Sequence, residues 1–297
     1  YTPAVAATGS SPAIPSAPSP ISTRLQVGTL KTIVTVQGNL STTTSTKPER
    51  VVINFGTGRA IPQSLTSAAQ YSNGPQYLYG IWDWDFGDTS TPGTWNYMSP
   101  NQQAVSLKGP QTIVAPGTGT NLQVQTITTT TLGSGTNTTS VRNMTHTAVC
   151  WKGDSACGGG ASQTMMGWYV QLPGTNEQVI FDPTYSPDGE FVVNTYIPSP
   201  SSILSCNNTQ ATGFSMGLDP LSGGGSVTPF FNVGGAGYDG VQLNGTGTPS
   251  FLSSGQAADS NAEYLLTQTT GGNPAPPQKI NRHVVVTGQR LNWIQRR

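Results

Sequence analysis

The sequence predicts an all-β fold with few or no helices, and three observations support this prediction. The chain of 297 residues contains 36 Gly and 23 Pro, which interrupt helices and favour turns. Short runs of β-branched and aromatic residues alternate with polar residues at a period of two. Turn residues separate these runs at fairly regular spacing, which is typical of sandwiches, barrels and propellers.

The first half of the chain begins with a segment that we expect to be extended. Residues 1–20 are rich in Pro, Ala and Ser, a composition typical of linkers, so we expect the β region to span residues 21–297. Apolar and β-branched runs then predict strands at 30–36, 50–55, 77–83 and 122–128. The polar stretch 132–145 is predicted to be a loop or an exposed hairpin.

The second half is more regular. The turn Pro187-Asp188-Gly189 separates two apolar runs and predicts a reversal of the chain. Only 257–266 indicates a helix, and a short one. Strands are predicted at 167–172, 178–181, 190–196, 213–218, 228–233, 281–286 and 290–294.

Charge excludes two classes of partner. Thirteen basic and thirteen acidic residues give a net charge of zero, so no overall field attracts nucleic acid or an anionic membrane. No apolar run approaches the ~18 residues of a membrane-spanning helix. Thr, Ser, Asn, Gln and Gly supply the solubility instead, a composition that favours an extracellular or cell-surface protein.

The cysteines agree with an oxidising compartment. Cys150 and Cys157 enclose a short loop that a disulfide could close, and Cys206 is left over. Three Cys and two His, His146 and His283, do not supply the ligand set of a zinc site. We therefore predict a disulfide between Cys150 and Cys157 and no metal, cofactor or catalytic residue.

The chain begins at Tyr1 and shows no basic, apolar leader. We expect it to be a processed or excerpted part of a longer precursor.

The stretch GFSMG at 213–217 matches the G-x-S-x-G nucleophile elbow of serine hydrolases, with His283 downstream. An elbow needs a helix after the serine, but Pro220 and the three glycines at 223–225 oppose one. We therefore interpret Ser215 as a strand residue, followed by a tight polar turn.

Two further motifs have weaker functional interpretations. GAGYDG at 235–240 matches a dinucleotide fingerprint by letter, but a strand and a turn follow it where a helix is required. The acidic loop at 83–88 lacks the Glu of an EF-hand, since its twelfth position is Thr94, although its three carboxylates could still hold calcium. The six Trp could form a sugar-binding platform, but core packing is the favoured interpretation.

Short motifs also occur in a characteristic order. Together they resemble the C-terminal β-propeller of the PilY1 family, the type IV pilus biogenesis and tip proteins, from about residue 19 to the C-terminus. The motifs are SPISTRL (19–25), VVINFGTGR (51–59), YGIWD (79–83), GWYVQL (167–172), EQVIFDP (177–183), NTYIP (194–198), Cys206, Gly213, LDPLSGG (218–224) and RLNW (290–293).

This resemblance implies the C-terminal blades of a modified, quinoprotein-like β-propeller. It also implies a pilus-associated bacterial protein at the cell surface, involved in fimbrium biogenesis, cell adhesion and twitching motility. The implied partners are minor pilins of the pilus tip complex, a host or abiotic surface, and the remaining part of a longer precursor.

Two features of the family are not found in this sequence. The alternating-aspartate calcium loop is missing, so calcium binding is not assigned to any residue. The large N-terminal region and the early blades are missing too, so we expect a partial propeller. A structural filament or surface-layer subunit, and a quinoprotein-type dehydrogenase propeller, are the alternatives to a non-enzymatic pilus protein.

Overall fold

The computed structural model describes residues 26–29, 51–59, 72, 74–82, 113–135, 137–152, 157, 164–186, 188–199, 211–243, 245–253, 263–269 and 278–281. Within these ranges the chain forms sixteen strands and no helix, which confirms the all-β prediction. The described part of the chain therefore contains no helix suited to crossing a membrane. The predicted boundary at residue 20 lies outside these ranges.

Eight strands belong to the first part of the chain, up to Tyr185. They are β1 (Gln26–Thr29), β2 (Val51–Gly56), β3 (Tyr77–Trp82), β4 (Gln123–Gln125), β5 (Ile127–Ser134), β6 (Asn137–Met144), β7 (Gly167–Gln171) and β8 (Thr184–Tyr185). The predicted strand at 122–128 is divided at Thr126, and 132–145 forms part of the β5–β6 hairpin. The predicted strand at 30–36 lies outside the described residues.

Eight further strands complete the described chain. They are β9 (Phe191–Asn194), β10 (Gly213–Leu218), β11 (Phe231–Val233), β12 (Ala236–Tyr238), β13 (Gly240–Leu243), β14 (Gly247–Ser253), β15 (Glu263–Thr269) and β16 (Gln278–Ile280). Gly235 and Gly237 of the fingerprint-like motif lie in the β11–β12 hairpin, whose turn residues Gly234 and Gly235 have φ of 61° and 84°, and Gly240 begins β13. A hairpin presents no helix N-terminus to a pyrophosphate.

Two predictions of secondary structure were wrong. The run 178–181 forms no strand, because Gln178 makes only an isolated bridge to Tyr196. The predicted helix at 257–266 is a strand where it is described, since β15 pairs with both β14 and β16. Leu265 and Thr267 are buried, whereas Tyr264 and Leu266 are less buried, and this alternation is the period of a strand. The predicted strand at 290–294 lies outside the described residues, as does 281–286 beyond Asn281.

The strands form three sheets, which we call the first, central and third sheets. The first has the order β1-β2-β3-β7-β4, and only its β4–β7 pair is parallel. The central sheet has the order β5-β6-β13-β10-β9-β8, and the third has the order β12-β11-β16-β15-β14. Strands distant in sequence thus become neighbours within each sheet.

The central sheet is packed on both faces. On one face, Phe214, Met216 and Leu218 of β10 pack with Trp168 of the first sheet. On the opposite face, Val192 and Val241 pack with the third sheet through Phe231, Leu265 and Ile280. All six residues of β10 are consequently buried. Full burial of each large apolar side chain contributes about 1.5–3 kcal/mol to folding.

A charged pair is enclosed in this core. The guanidinium of Arg142 on β6 donates to both oxygens of Glu177, over 2.6 and 2.7 Å, and both side chains are at most 1% exposed. Arg142 also lies 3.5 Å above the centre of the Phe214 ring. The Gly174 N–H donates to Glu177 over 2.8 Å. A buried pair of this kind holds its segments in place because neither charge can be left alone.

We predict that Glu177→Leu lowers the free energy of unfolding by about 3–5 kcal/mol, because it leaves the Arg142 guanidinium buried without its carboxylate. The double variant Arg142→Met/Glu177→Leu should be more stable than this single variant, because it removes both charges. Denaturant unfolding of the variants measures the difference. If the double variant lost as much stability as the two single variants together, this account of the pair would be contradicted.

Candidate functional site

Ser215 lies in the middle of β10 and is fully buried, so its interpretation as a strand residue is confirmed. It pairs with Asn194 of β9 on one side and Val241 of β13 on the other. Its hydroxyl has no hydrogen-bond partner among the described residues, and His283 lies outside them. Because β10 leads into a turn rather than a helix, Ser215 lacks the exposed position of an elbow nucleophile.

The turn after β10, residues 219–226, is folded around one carboxylate, and we call it the Asp219 turn. Asp219 Oδ1 accepts the N–H of Leu221 at 3.0 Å, and Oδ2 accepts the hydroxyl of Ser222 at 2.6 Å. The N–H of Asp219 donates to the carbonyl of Gly224 at 2.9 Å. Asp side chains commonly satisfy backbone groups two residues on in this way.

The Asp219 turn is docked on the first sheet through the carbonyl of Pro220. This oxygen accepts the indole N–H of Trp168 and the side-chain amide of Asn54, each at 2.9 Å. Gly223 lies against the Trp168 ring, where a Cβ would overlap ring atoms. A Cβ at Gly80 would meet the indole nitrogen in the same way. Only glycine leaves room for the indole at these two positions.

Further hydrogen bonds tie the Asp219 turn to the end of β4 and to the residue that follows β6. The Gln125 amide donates to the carbonyl of Ser222 at 2.8 Å, and Gly225 N–H donates to the carbonyl of Thr145 at 3.2 Å. The Thr145 hydroxyl also bonds to Gln125 at 2.5 Å. The turn therefore joins the first and central sheets by several independent contacts.

Glu190 is a buried carboxyl beside this turn. It is 9% exposed and accepts the hydroxyl of Ser226 at 2.5 Å. Burial raises the pKa of Glu190 to about 8, and the nearby carboxylates of Asp219, Asp188 and Asp239 act in the same direction. At neutral pH this side chain is therefore largely protonated, which avoids a buried negative charge among other acids.

Asp239 is a second buried acid, 3% exposed, on the other side of the turn. Its Oδ2 accepts the N–H of Met144 at 2.8 Å, and its Oδ1 has no partner among the described residues. Burial raises the pKa of Asp239, whereas the Met144 N–H and His146 lower it. A Cβ at Gly225 would overlap this carboxyl group, so glycine is required here too.

The residues that the sequence offers as possible metal ligands lie partly outside the described ranges. Within the described ranges, no three His, Cys, Asp or Glu side chains are placed to hold a metal ion. The acidic loop at 83–88 and Cys206 lie outside the described residues. His146 is exposed. Cys150 and Cys157 are joined by a disulfide with a Cα–Cα distance of 5.7 Å.

The described tryptophans lie in the core. Trp82, Trp151 and Trp168 are at most 6% exposed, which agrees with packing rather than an open sugar platform. A tyrosine cluster lies on the opposite face of the first sheet from Trp168, with the rings of Tyr77 and Tyr169 6.0 Å apart. Partial burial, together with the neighbouring Tyr169, raises the pKa of Tyr77 above its ordinary value of 10.

Sequence reasoning missed the buried acids and the Arg142–Glu177 pair. The sequence contained a local signal that Glu190 is buried. Glu190 lies directly between the turn ending at Gly189 and the apolar run of β9, and only 9% of the residues in the chain are charged. Arg142 and Glu177 are 35 positions apart, and no periodicity links them.

We predict that Gly223→Ala lowers the free energy of unfolding by about 1–3 kcal/mol more than Gly189→Ala. Both glycines have positive φ, 69° and 93°, so the backbone strain of alanine is similar. Only at Gly223 would the new methyl meet the Trp168 ring, because the space around Gly189 is open. Equal losses in the two variants, measured by denaturant unfolding, would contradict the docking of the turn on Trp168.

We predict that stability falls as pH rises from about 4.5 to about 8, because folded Glu190 keeps a proton that the unfolded chain releases. Glu190→Gln should remove this part of the slope and be more stable than the wild type above pH ~8, while Asp239 leaves a slope of the same sign. The control Thr118→Ala changes an exposed turn residue that carries no titratable group, so it should keep the wild-type slope. Thermal unfolding across this pH range tests the prediction, and an unchanged slope in Glu190→Gln would refute it.

No protein-family model and no curated protein matches the chain. Among solved structures, the chain is similar to the C-terminal domain of PilY1 from Pseudomonas aeruginosa, with 19% sequence identity and a TM-score of 0.47. The similarity covers 78% of this chain and 42% of that one, so the chain spans less than half of the PilY1 domain.

Proposed function

We propose that this chain is part of a type IV pilus-related protein that acts at the bacterial cell surface. In this proposal it supports pilus assembly and extension, surface attachment and twitching motility from the filament tip. Its partners would be minor pilins, a host or abiotic surface, and the rest of a longer protein with a propeller-like arrangement of blades. It would work by presenting docking surfaces rather than by catalysis.

One observation carries this proposal: motifs of the family resemblance that are far apart in sequence meet at one place in the structure. Asn54 of VVINFGTGR and Trp168 of GWYVQL both donate to the carbonyl of Pro220 in LDPLSGG. Gly80 of YGIWD lies against these two donating side chains. Asn54 and Pro220 are 166 positions apart. Unrelated chance matches would not be expected to choose residues that contact one another. Their convergence supports interpreting the motifs as one structural unit.

A further motif joins the same unit. The N–H of Val179, in EQVIFDP, donates to the carbonyl of Thr57 at 2.9 Å. A Cβ at Gly56 or Gly58 would overlap Val179, which accounts for two glycines of the motif VVINFGTGR. The resemblance therefore rests on residues that fit together sterically, in addition to their order along the chain.

The interior position of Ser215 supports a role without catalysis at this serine. A nucleophile must reach both its base and the substrate, whereas this hydroxyl is 0% exposed between two strands. The most reactive-looking motif of the sequence is thus part of the sheet interior. The surfaces of the sheets remain for binding.

Deletion of the gene, followed by counting surface pili and measuring twitching, tests the proposal. We predict that deletion reduces both, and that the wild-type gene and Ser215→Ala each restore them. Gly223→Ala disturbs the packing of the Asp219 turn on Trp168. It should therefore restore piliation and twitching less well than Gly189→Ala at equal protein level. Normal piliation and motility after deletion would refute the proposal, and loss of function in a folded Ser215→Ala variant would favour an enzyme.

A structural filament or surface-layer subunit is the second candidate, favoured by the threonine-rich β5–β6 hairpin, whose outer strand β5 carries no charged residue. Immunogold labelling distinguishes the two candidates. Label confined to one end of a pilus supports the tip protein, whereas label along a fibre supports the filament subunit.

A further inference from the structure

The β5–β6 hairpin extends the central sheet at its edge. All eight residues of β5 pair with β6, from Ile127–Met144 to Ser134–Asn137. In the described residues, the ladder between β6 and β13 consists of the pairs at Val141 and Arg142, and the N–H of Ser140 also donates to the Gln242 side chain at 3.2 Å. The outer half of the hairpin is therefore held mainly by pairing within itself.

The outer edge of β5 is open. Strand β5 ends the order of the central sheet, so no strand in the described part of the chain pairs with its second side. The four threonines at 128–131 are exposed, and so are Gly133 and Ser134. Backbone N–H and C=O groups of alternate residues point away from β6, because neighbouring residues in a strand face opposite sides. This edge presents a row of hydrogen-bonding groups to solvent.

Edges of this kind usually carry protective features. Proteins place charged side chains, proline or a bulge on an exposed edge to prevent pairing with other strands. The sequence of β5, ITTTTLGS, contains no charged residue and no proline. Its register with β6 is continuous over the whole strand, so no bulge bends it. Threonine also has a high preference for strands, so the edge is suited to accepting a further strand.

We propose that the edge of β5 pairs antiparallel with β5 of a second copy of this chain. Both edges would be uncharged and the chain has a net charge of zero, so no like-charge repulsion opposes the contact. A partner strand with charged side chains would find no opposite charge on β5. The pairing continues the central sheet of one copy into that of the other and closes as a two-fold dimer.

Symmetry restricts the register of this pairing. In an antiparallel pair, residues opposite each other lie on the same face of the sheet. Two strands related by a two-fold axis meet this condition only if one residue lies opposite its own copy. A two-fold axis at Thr130 brings every residue of β5 except Ser134 into the pairing. It places Thr129 opposite Thr131, Thr128 opposite Leu132, and Ile127 opposite Gly133. Threonine then pairs with threonine at the centre, a favourable cross-strand combination.

The test is the concentration dependence of the mass of the purified chain, measured by sedimentation equilibrium. The wild type is expected to form a reversible dimer. Thr130→Lys places two ammonium groups opposite each other and should weaken dimerisation at least tenfold. Thr118→Lys is the control, because Thr118 is exposed in a turn away from β5. It should dimerise like the wild type.

Charge reversal tests the register itself. Thr130→Glu alone should also remain monomeric, while an equimolar mixture of the Lys and Glu variants should regain a dimer. Circular dichroism and thermal unfolding should show all variants folded as the wild type. A monomeric wild type at all concentrations would refute the proposal, as would a dimer that Thr130→Lys leaves unchanged. These measurements use only the purified chain, so their outcome does not depend on the proposed pilus function.

Discussion

The contact between the Pro220 carbonyl and the Trp168 indole is the constraint on which the joining of the first and central sheets depends. The turn that carries Pro220 follows β10, all six of whose residues are buried, and the indole belongs to the first sheet. Because Asn54 donates to the same oxygen, one carbonyl aligns two strands of the first sheet against the turn. Glycines at 80 and 223 leave the space that the indole occupies. Losing either this hydrogen bond or the space for the indole would weaken the joining of the two sheets.

Burial of the central sheet on both faces creates a second constraint, because polar groups inside it have no access to solvent. The protein accommodates its buried charged groups in two ways. Arg142 and Glu177 neutralise each other, whereas Glu190 keeps its proton because burial raises its pKa to about 8. Water would solvate such groups at little cost on a surface, but here each must find a partner or lose its charge. The fold therefore couples a few charged residues tightly to the packing of its layers.

Much of the strand pattern could be predicted locally. Runs such as 77–83 and 167–172 combine strand-forming residues with a period of two, and both became strands. The prediction failed where tertiary contacts outweigh the local pattern. Residues 263–266 read as helical, yet β15 pairs on both sides. The apolar run that follows Gln178 does not extend a strand ladder. Its first residue, Val179, instead packs against Gly56 and Gly58 on either side of Thr57.

By itself, the sequence determined the all-β class, the turn after β10 and the strand character of Ser215, because glycine, proline and alternation act through neighbouring residues. It also brought Cys150 and Cys157 close enough for a disulfide, seven positions apart. Only the tertiary structure decided which acids are buried, which cation Glu177 pairs with, and that Trp168 meets Pro220. These are contacts over 35 to 166 positions, set by the stacking of sheets, which no local periodicity encodes.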